Sequence, residues 1–479
     1  MSKPFYITTT IPYVNADPHV GFALELVSAD IIARYKKLAG FEVFFNTGTD
    51  EHGLKVYRKA LEERKDLQAY VDGYAKKYQE LIGTLDVLTE VNFIRTTDQT
   101  HKKAAQEFWR RCSQNGFIYK KLYKVKYCVG CELEKTDSEL ENGHCPIHPN
   151  LEIELIEEEN YFFKLSAFTD YLSKFYERSD FVVPDFRLNE LRSLISEKGL
   201  EDFSASRLAS KVPWGIPVPD DSQHVMYVWF DAFVNYISAV GWPDDMDKFD
   251  KWWVQSGGVV QFAGKDQVRQ QAAMWQAMLK ASGIETPSKQ IVIHGFITTG
   301  GEKMSKSLGN VIDPGAIVKE YGTDALRYYL ARHINPFEDS DFTMEKFKEA
   351  YNANLANGLG NLVSRTLAMA EKNGVRLSEK REALDSGYLE ALDKFEINKA
   401  ADIVWGKIAE ADARIQETEP FKKIKTNPDE ARRDMAELLS RLYEIALHLK
   451  PILPKTSEII LDLVSSSKVP ITPIFTRKD

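Results

Sequence analysis

A lysine-rich segment in the second half of the chain has the composition of a phosphate-binding loop. Residues 303–307 read Lys-Met-Ser-Lys-Ser, and Gly300 and Gly301 precede them. Cations on a mobile, glycine-flanked loop can follow a triphosphate whose charge shifts towards departing pyrophosphate. A solvated loop without chemistry is the plain alternative. The chain has no Gly-x-x-x-x-Gly-Lys-Ser/Thr loop, so ATP would have to be held by another device.

A histidine and a glycine stand where the first predicted strand gives way to a helix. Residues 5–11 are rich in strand-forming types, and His19 and Gly21 lie at the start of the helical stretch that follows. Phosphate groups bind readily at a helix amino terminus, where unpaired N–H groups and the helix dipole favour anions. A His-x-Gly sequence alone more often has a structural role. A catalytic role for His19 is therefore inferred only together with the lysine-rich segment.

Three of the four cysteines and one histidine form two corners of the metal-ligand type. Cys128 and Cys131 make the first corner, and Cys145 and His148 make the second, 13 residues further on. Three thiolates and one imidazole complete a tetrahedral zinc site that leaves no position for water. The spacing therefore predicts one structural zinc ion, the alternative being buried thiols and a surface histidine. Cys112 is left over and is expected to be a buried thiol.

The pattern of strands and helices predicts an α/β fold with a split, Rossmann-like parallel sheet. A βαβ unit covers residues 5–61, and a second αβ pattern places strands at 259–263 and 291–294 around a helix from about 268 to 282. Beyond about residue 344 only amphipathic helical patterns remain, which predicts an all-α bundle. The predicted boundaries are 1–115 for the first half of the sheet domain, 116–225 for a connective insertion with the cysteines, 226–298 for the second half, 299–345 for the lysine-rich segment and its junction, and 346–479 for the helical bundle.

Composition restricts the class of protein. Hydrophobic residues at 43% and charged residues at 28% match globular usage, and no apolar run approaches the roughly 20 residues that cross a bilayer. The amino-terminal sequence lacks the apolar core of a secretory signal, so a cytoplasmic protein without membrane contact is expected. A net charge of -9 argues against nonspecific nucleic-acid binding and leaves a specific RNA partner possible.

The two phosphate-binding motifs together resemble those of class I aminoacyl-tRNA synthetases. The signatures of that class are a His-Ile-Gly-His-like tetrapeptide, here residues 19–22, and the Lys-Met-Ser-Lys-Ser loop, here residues 303–307. Within the class the chain is similar to the methionyl-tRNA synthetase family over essentially its whole length. Its most diagnostic segment is Thr-Gly-Thr-Asp-Glu-His-Gly at residues 47–53. The resemblance implies formation of methionyl-adenylate and pyrophosphate from L-methionine and ATP, then transfer of methionine to the 3' end of tRNA(Met).

The same resemblance implies a role for individual residues. Asp50 would receive the ammonium group of methionine. Trp229, Ala232 and Tyr236 would share one helical face. Residues at that spacing usually belong to the hydrophobic core. An aromatic wall nevertheless suits a thioether, because sulfur packs well against ring edges. The resemblance also implies that Ile11 and Tyr13 line the methionine pocket. The residues implied to bind ATP are His19, Gly21, Lys303, Ser305 and Lys306. Of these, His19, Lys303 and Lys306 would be the catalytic groups.

In the helical third, Asn361 and Arg365 stand four residues apart on one predicted helical face. A capping or solvated pair is the simpler interpretation from spacing alone. The segment resembles the family's anticodon-reading helix, where an amide and a guanidinium can bond to exposed base edges. Phe421 follows a proline at a place where the family usually has tryptophan, so it would keep a stacking surface and lose the indole donor.

The chain departs from the family pattern at three positions. Phe22 replaces the second histidine of the first signature, and Gln267 and Gln271 stand where the family often has an aliphatic residue and a histidine. The two glutamines leave the selectivity for the amino acid open. The phenyl ring of Phe22 can pack but cannot donate a hydrogen bond into the ATP site, so either that site is weakened or another donor has replaced the histidine.

Two alternatives to a methionine enzyme also stay open. One is a synthetase for leucine, isoleucine, valine or cysteine, although the insertion is short for the editing domain that branched-chain enzymes need. The other is a noncatalytic tRNA-binding relative. The expected ligands are one structural zinc ion, Mg²⁺ with ATP, L-methionine and tRNA(Met), and a monomer is expected.

Overall fold

The computed structural model of the chain describes residues 2–304 and 310–479. Ser305 and Lys306, both predicted to bind ATP, lie outside the described residues. The strands are β1 (Pro4–Thr8), β2 (Glu42–Thr49), β3 (Asn92–Arg95), β4 (Ile118–Cys128), β5 (Leu133–Lys135), β6 (Glu154–Phe163), β7 (Val182–Val183), β8 (Phe203–Ser204), β9 (Ser206–Leu208), β10 (Pro217–Val218), β11 (Asp221–Met226), β12 (Val259–Gly264), β13 (Gln290–His294), β14 (Ile297–Thr299), β15 (Glu302–Lys303) and β16 (Ser340–Asp341).

Helices connect and follow these strands. In the described ranges three segments are π-helical, with hydrogen bonds between residues five apart: Asp250–Val254, Gln270–Met274 and Tyr351–Gly360. The α-helices are α1 (Val20–Leu38), α2 (Leu54–Glu62), α3 (Leu67–Thr84), α4 (Gln99–Gln114), α5 (Thr169–Phe175), α6 (Asp185–Lys198), α7 (Val228–Ala232), α8 (Asn235–Ser238), α9 (Met246–Phe249), α10 (Trp275–Ala281), α11 (Pro314–Tyr321), α12 (Thr323–Arg332), α13 (Met344–Ala350), α14 (Asn361–Lys372), α15 (Ser386–Asp393), α16 (Ile397–Thr418), α17 (Pro420–Lys423), α18 (Pro428–Leu449) and α19 (Pro454–Ser466).

A six-stranded sheet forms the centre of the fold, in the order β3-β2-β1-β12-β13-β7. Strand β1 pairs in parallel with β2 on one side and with β12 on the other, so that Tyr6 lies opposite both Phe44 and Val259. All six residues of β12 are buried, as expected for a parallel strand covered on both faces. The prediction of an α/β fold with a parallel sheet in two halves is confirmed. The edge strand β7 comes from the range predicted as the connective insertion.

The chain divides into two compact units, each made of several stretches of sequence. The first contains residues 1–18, 40–80 and 90–293, and the second contains residues 19–39, 81–89 and 294–479. The first unit therefore holds the sheet together with the cysteine-bearing segment. The second holds the carboxyl-terminal helices together with α1, which the sequence pattern had placed with the sheet.

A buried ion pair explains why α1 belongs to the second unit. The guanidinium of Arg327 is completely buried and contacts the Asp30 carboxylate of α1 at 2.7 Å. A buried pair of this kind is tolerated only where further hydrogen bonds satisfy its remaining donors. Arg327 meets that condition, because it also donates to the backbone carbonyls of Leu85, Pro451 and Ile452 at 2.9 to 3.1 Å.

The helical third matches the predicted bundle. After β16 the described residues form helices and no strand. Prolines open α17, α18 and α19, where the missing N–H costs nothing because no carbonyl precedes it within the helix. None of the helices in the described ranges is both long enough and apolar enough to cross a membrane.

Candidate active site and metal centre

Asp50 follows β2, and its backbone is fixed by the segment that follows β1. Its N–H donates to the Pro12 carbonyl at 2.9 Å, and its own carbonyl accepts from the Val14 N–H at 3.2 Å. Tyr13 lies opposite Asp50 in this bridge, and Ile11 is half-buried shortly before it. The structure thus brings together three residues that were predicted to line the amino acid pocket.

The Asp50 side chain is buried, and one of its oxygens lacks a partner. Within the described part of the chain, no group hydrogen-bonds to Oδ1 of Asp50. Burial, and then the negative charge of Asp231, raises the pKa of Asp50 well above its ordinary value, although the His52 backbone N–H opposes this. A buried acceptor without a donor is costly. The position therefore suits a ligand that brings a positively charged donor.

The neighbouring carboxylate of Glu51 shows the opposite environment. It is also buried, but Arg95 donates to its two oxygens at 2.6 and 2.9 Å. The hydroxyl of Thr49 donates at 2.7 Å, and the hydroxyl of Thr97 donates as well. Both oxygens of Glu51 are therefore occupied by the protein itself. Of these two adjacent carboxylates, only Asp50 has an oxygen left for a ligand.

The aromatic face predicted around Trp229 is formed by α7 and α8. The ring centroids of Trp229 and Phe233 lie 5.5 Å apart, and Ala232 is buried beside them. Tyr236 is buried too, with its ring 5.8 Å from Trp275. The indole N–H of Trp229 is shielded from solvent, yet it has no hydrogen-bond partner among the residues described. The Trp229 indole N–H and the Asp50 oxygen are thus two of several buried polar groups of the first unit that have no partner among the described residues.

Three residues that sequence reasoning did not single out contribute to the electrostatics of Asp50. Asp231 of α7 is completely buried, 3.0 Å from Nδ1 of His52 and 3.5 Å from Nε2 of His101. Burial alone would raise the pKa of Asp231, but the two histidines lower it overall. Its negative charge in turn raises the pKa of Asp50. Asp231 could have been noticed in the sequence, because it is an acidic residue inside an otherwise apolar, aromatic segment. Nothing in the sequence around His101 indicates its contact with Asp231.

His19 caps α1, and its own ring accepts the hydrogen bond. The N–H of Gly21 donates to Nδ1 of His19 at 3.0 Å, so the neutral ring carries its proton on Nε2. A Cβ atom on residue 21 would come within 2.8 Å of the imidazole. Glycine at position 21 therefore leaves room for the His19 ring to fold back over the first turn of α1. In this position the ring presents Nε2 as a donor beside the amino terminus of the helix. Phe22 is half-buried in the first turn.

The two flanks of residues 305–309 both reach the amino end of α1. Lys303 lies in β15, opposite Thr298 of β14. An added Cβ at Gly21 would lie 3.7 Å from the Met304 methyl group, and the Val20 N–H donates to the Ile312 carbonyl at 3.1 Å. The second unit therefore brings the Met304 side chain and the Ile312 carbonyl, one from each flank, to the helix terminus that His19 caps.

Cys128, Cys131, Cys145 and His148 form a compact cluster. Their ligand atoms all lie within 4.8 Å of one another. Sγ of Cys131 is 3.5 Å from that of Cys145 and 3.2 Å from Nδ1 of His148. Four ligands on a tetrahedron around zinc would be roughly 3.5 to 3.8 Å apart, given bond lengths of about 2.0 to 2.3 Å. The donor set and its spacing fit one zinc ion.

Local sequence shapes this cluster in two ways. Gly130 allows the His148 ring to approach, because a Cβ there would lie 2.5 Å from the ring. Contacts with Cys131, and then with His148, outweigh burial and lower the pKa of Cys128 to about 3. Next to the cluster, the buried Glu132 accepts from the Lys55 N–H at 2.8 Å and from the Tyr127 hydroxyl. Glu132 thereby ties the cluster to the start of α2, shortly after Asp50.

The residues predicted to read an anticodon lie in the helical part of the second unit. Asn361 is exposed at the start of α14, directly after the π-helical segment. Arg365 is half-buried and donates to Oδ1 of Asp412 at 2.8 Å. The Phe421 ring is 43% exposed. An exposed amide, a partly exposed guanidinium and an exposed ring are available on this unit, and their role stays a prediction.

Comparisons with known proteins agree with this arrangement. A family model described as tRNA synthetases class I (M) matches residues 5–152 and 135–367. A methionine-tRNA ligase of Thermotoga maritima is 42% identical over 97% of this chain and 76% of its own length. One of Rickettsia bellii is 38% identical over 96% of this chain and 92% of its own.

A solved structure supports the same relationship. The Mycobacterium tuberculosis methionyl-tRNA synthetase in complex with methionyl-adenylate matches with a TM-score of 0.88 at 35% sequence identity. The match covers 100% of this chain and 98% of that one. Since the family model spans most of the chain and the relatives are similar over nearly all of it, this chain belongs to the methionyl-tRNA synthetase family of class I tRNA synthetases.

Proposed function

We propose that the chain is a methionine-tRNA ligase, which forms methionyl-adenylate and pyrophosphate from L-methionine and ATP and then charges tRNA(Met). The observation that carries this proposal is the buried Asp50 carboxylate, one of whose oxygens has no hydrogen-bond partner in the described part of the chain. It belongs to the same unit as the aromatic face of Trp229 and Tyr236. An ammonium group would satisfy the carboxylate, and a thioether would pack against the rings.

The first step is in-line attack of the methionine carboxylate oxygen on the α-phosphorus of Mg²⁺-bound ATP. The new O–P bond forms as the bond to pyrophosphate breaks. His19 donates from Nε2 to a phosphate oxygen, and Lys303 and Lys306 stabilise the charge that accumulates on the leaving pyrophosphate. No side chain acts as a nucleophile. The rate gain comes from orientation and from fixed donors.

In the second step a hydroxyl of the 3'-terminal adenosine attacks the acyl carbon of methionyl-adenylate, and AMP leaves. Ile11, Tyr13 and Ala232 complete the methionine pocket, and Gly21 and Ser305 complete the ATP site. Asn361, Arg365 and Phe421 contact the anticodon. Exposed amide, guanidinium and ring groups can bond to and stack on splayed bases.

The zinc ion is proposed to be structural. Cys128, Cys131, Cys145 and His148 would occupy all four positions, so the ion would stabilise the local fold and would not activate water. Bound there, zinc would hold together the segment that carries Glu132. Through Glu132 this segment supports the start of α2.

The first prediction tests the amino acid site. Wild-type protein should exchange pyrophosphate into ATP in the presence of methionine and of no other standard amino acid at comparable efficiency. Asp50→Asn should lower kcat/KM for methionine by about ten- to hundredfold, because a hydrogen bond to a charged group contributes about 1.5 to 3 kcal/mol. Exchange with leucine, isoleucine, valine or cysteine in place of methionine would move the chain to another specificity, and no exchange at all would favour a binding relative.

The same variant should be more stable than wild type at neutral pH. A carboxyl group whose pKa is raised by folding lowers the free energy of unfolding fully above the folded pKa; this penalty shrinks as the pH falls through the folded pKa and is gone below the unfolded pKa. The gain in Tm of Asp50→Asn should therefore shrink on acidification. Glu51→Gln is the matched control. Since the Glu51 carboxylate is paired, its loss should lower Tm, and a lower Tm for Asp50→Asn would contradict the account of Asp50.

The second prediction separates capping from catalysis at His19. His19→Asn should keep α1 capped, because asparagine is among the best N-cap residues. It should nevertheless reduce exchange by about ten- to hundredfold, since the Nε2 donor is lost. Phe22→His should leave exchange similar or modestly higher. Full activity of His19→Asn at unchanged Tm would show that the phosphates are held by other groups.

The third prediction concerns the anticodon. Arg365→Ala should reduce aminoacylation of tRNA roughly tenfold and leave methionine-dependent exchange unchanged. Arg381→Ala is the control, because Arg381 belongs to the same unit and pairs with Glu437 at 2.6 Å. It should affect neither assay. Equal losses in both assays for Arg365→Ala would mean that the Arg365 to Asp412 pair serves folding.

The fourth prediction concerns the metal. Protein purified without chelators should contain about one zinc per chain by elemental analysis. Cys145→Ser should lose the ion and expose residues 128–148 to hydrogen exchange, since zinc sites in small peptides contribute roughly 10 to 16 kcal/mol. Cys112→Ala should keep the ion, because Cys112 is outside the cluster. Wild-type protein without metal would defeat the assignment.

A further inference from the structure

A second buried carboxylate lies close to Asp50. Asp231 of α7 is completely shielded from solvent, and its Oδ2 is 3.0 Å from Nδ1 of the buried His52. His52 follows Asp50 by only two residues. Asp231 therefore reaches the segment that carries the proposed ammonium-binding group, and both acids belong to the first unit.

Asp231 is held by histidines and by no stronger cation. Its Oδ1 is 3.5 Å from Nε2 of His101, whose Nδ1 lies 3.0 Å from the Ser238 hydroxyl. Burial opposes the ionisation of Asp231, but His52 and then His101 lower its pKa overall, so Asp231 is an anion at neutral pH. Within the described ranges, Oδ1 of Asp231 has no hydrogen-bond partner, and no lysine or arginine pairs with this carboxylate.

The charge of Asp231 acts on Asp50 more strongly than that of any other acid. After burial, Asp231 is the largest influence that raises the pKa of Asp50, and Glu132 and Glu51 contribute less. For Glu51 the structure gives the reason, because Arg95 pairs with its carboxylate at 2.6 Å and offsets its charge. Asp231 has no such partner among the described residues, so its field reaches Asp50 with little compensation.

Two neighbouring buried carboxylates repel each other unless a cation lies near both. The described part of the chain supplies no lysine or arginine for this purpose. Oδ1 of Asp50 also lacks a donor there. A ligand that brings an ammonium group to Asp50 would satisfy this oxygen and would also be attracted by the charge of Asp231. A ligand without positive charge would gain nothing from Asp231.

We propose that Asp231 is a second anion of the amino acid site, which strengthens the binding of the substrate's ammonium group that Asp50 holds. Asp231 is a positioning residue in this role, because it acts through its charge and through His52 and does not touch the substrate. The inference rests on the proposed function, which supplies an α-amino acid as the ligand. It assigns the selection of a protonated amine to two carboxylates instead of one.

Binding of three ligands to the full chain, measured by titration calorimetry, tests this role. Methionine has both an ammonium group and a carboxylate, methioninol keeps only the ammonium group, and 4-(methylthio)butanoate keeps only the carboxylate. Asp231→Asn removes the charge and keeps the size of the side chain. It should weaken binding of methionine and methioninol by about five- to fiftyfold, the range for one partly screened charge. Binding of 4-(methylthio)butanoate should stay unchanged or become tighter.

Further variants separate charge from shape. Asp231→Glu restores the charge and should recover much of the binding of both ammonium ligands. Asp231→Ser is a second neutral variant, to be used if thermal unfolding shows that Asp231→Asn is not folded. Glu158→Gln is the matched control, because Glu158 is a buried acid of the same unit that pairs with Lys211 at 2.7 Å. It should bind all three ligands as the wild type does.

The outcomes are distinct. Equal losses for all three ligands in a folded neutral variant would mean that Asp231 only shapes the pocket, and unchanged binding of methionine and methioninol would show that its charge is not felt. Either result would overturn the inference and leave the proposed function standing. A wild-type chain that binds neither methionine nor methioninol would overturn the proposed function and this inference with it.

Discussion

The parallel pairing of β1 with both β2 and β12 is the constraint on which the first unit depends. It places Thr8 opposite Asn46 on one side and Gln261 on the other. Since the carboxyl ends of parallel strands share one edge, the chain after each of these strands reaches the same edge of the sheet. Asp50, Tyr13 and the Gln271 segment all follow such strand ends. The sheet alone therefore brings these three segments to one edge.

At this edge stability and function make opposite demands. Glu51 is bonded by Arg95 and two hydroxyl groups, as buried carboxylates normally are. Asp50, one residue earlier, has an oxygen that none of the described residues bonds, and burial and Asp231 raise the pKa of Asp50. The surrounding core must offset that cost. A buried carboxylate oxygen without a donor, next to a fully bonded carboxylate such as that of Glu51, suits a position that a ligand fills.

Two glycines act in the same way at two different sites. Gly21 and Gly130 are both needed because a ring lies where their Cβ atoms would be, the ring of His19 in one case and that of His148 in the other. Neither has a positive φ, so close approach, and not backbone conformation, is the reason for glycine. The first fixes the donor nitrogen of an imidazole, and the second admits an imidazole ligand to a metal centre.

The sequence by itself determined the α/β class, the helical carboxyl-terminal third, the metal-ligand set and the residues of the two signatures, because these depend on local periodicity and short spacing. It did not determine the division into units, since α1 joins the helical unit through the pairing of Asp30 with Arg327. From the sequence, Gln267 and Gln271 could be identified only as departures from the family pattern. The hydrogen bonds of Gln271 to Gln267 and to Tyr236, and the influence of Asp231 on Asp50, exist only where distant segments meet in the folded chain. Hydrogen bonding and burial between such segments leave no periodic trace in the sequence, so only the tertiary structure decided them.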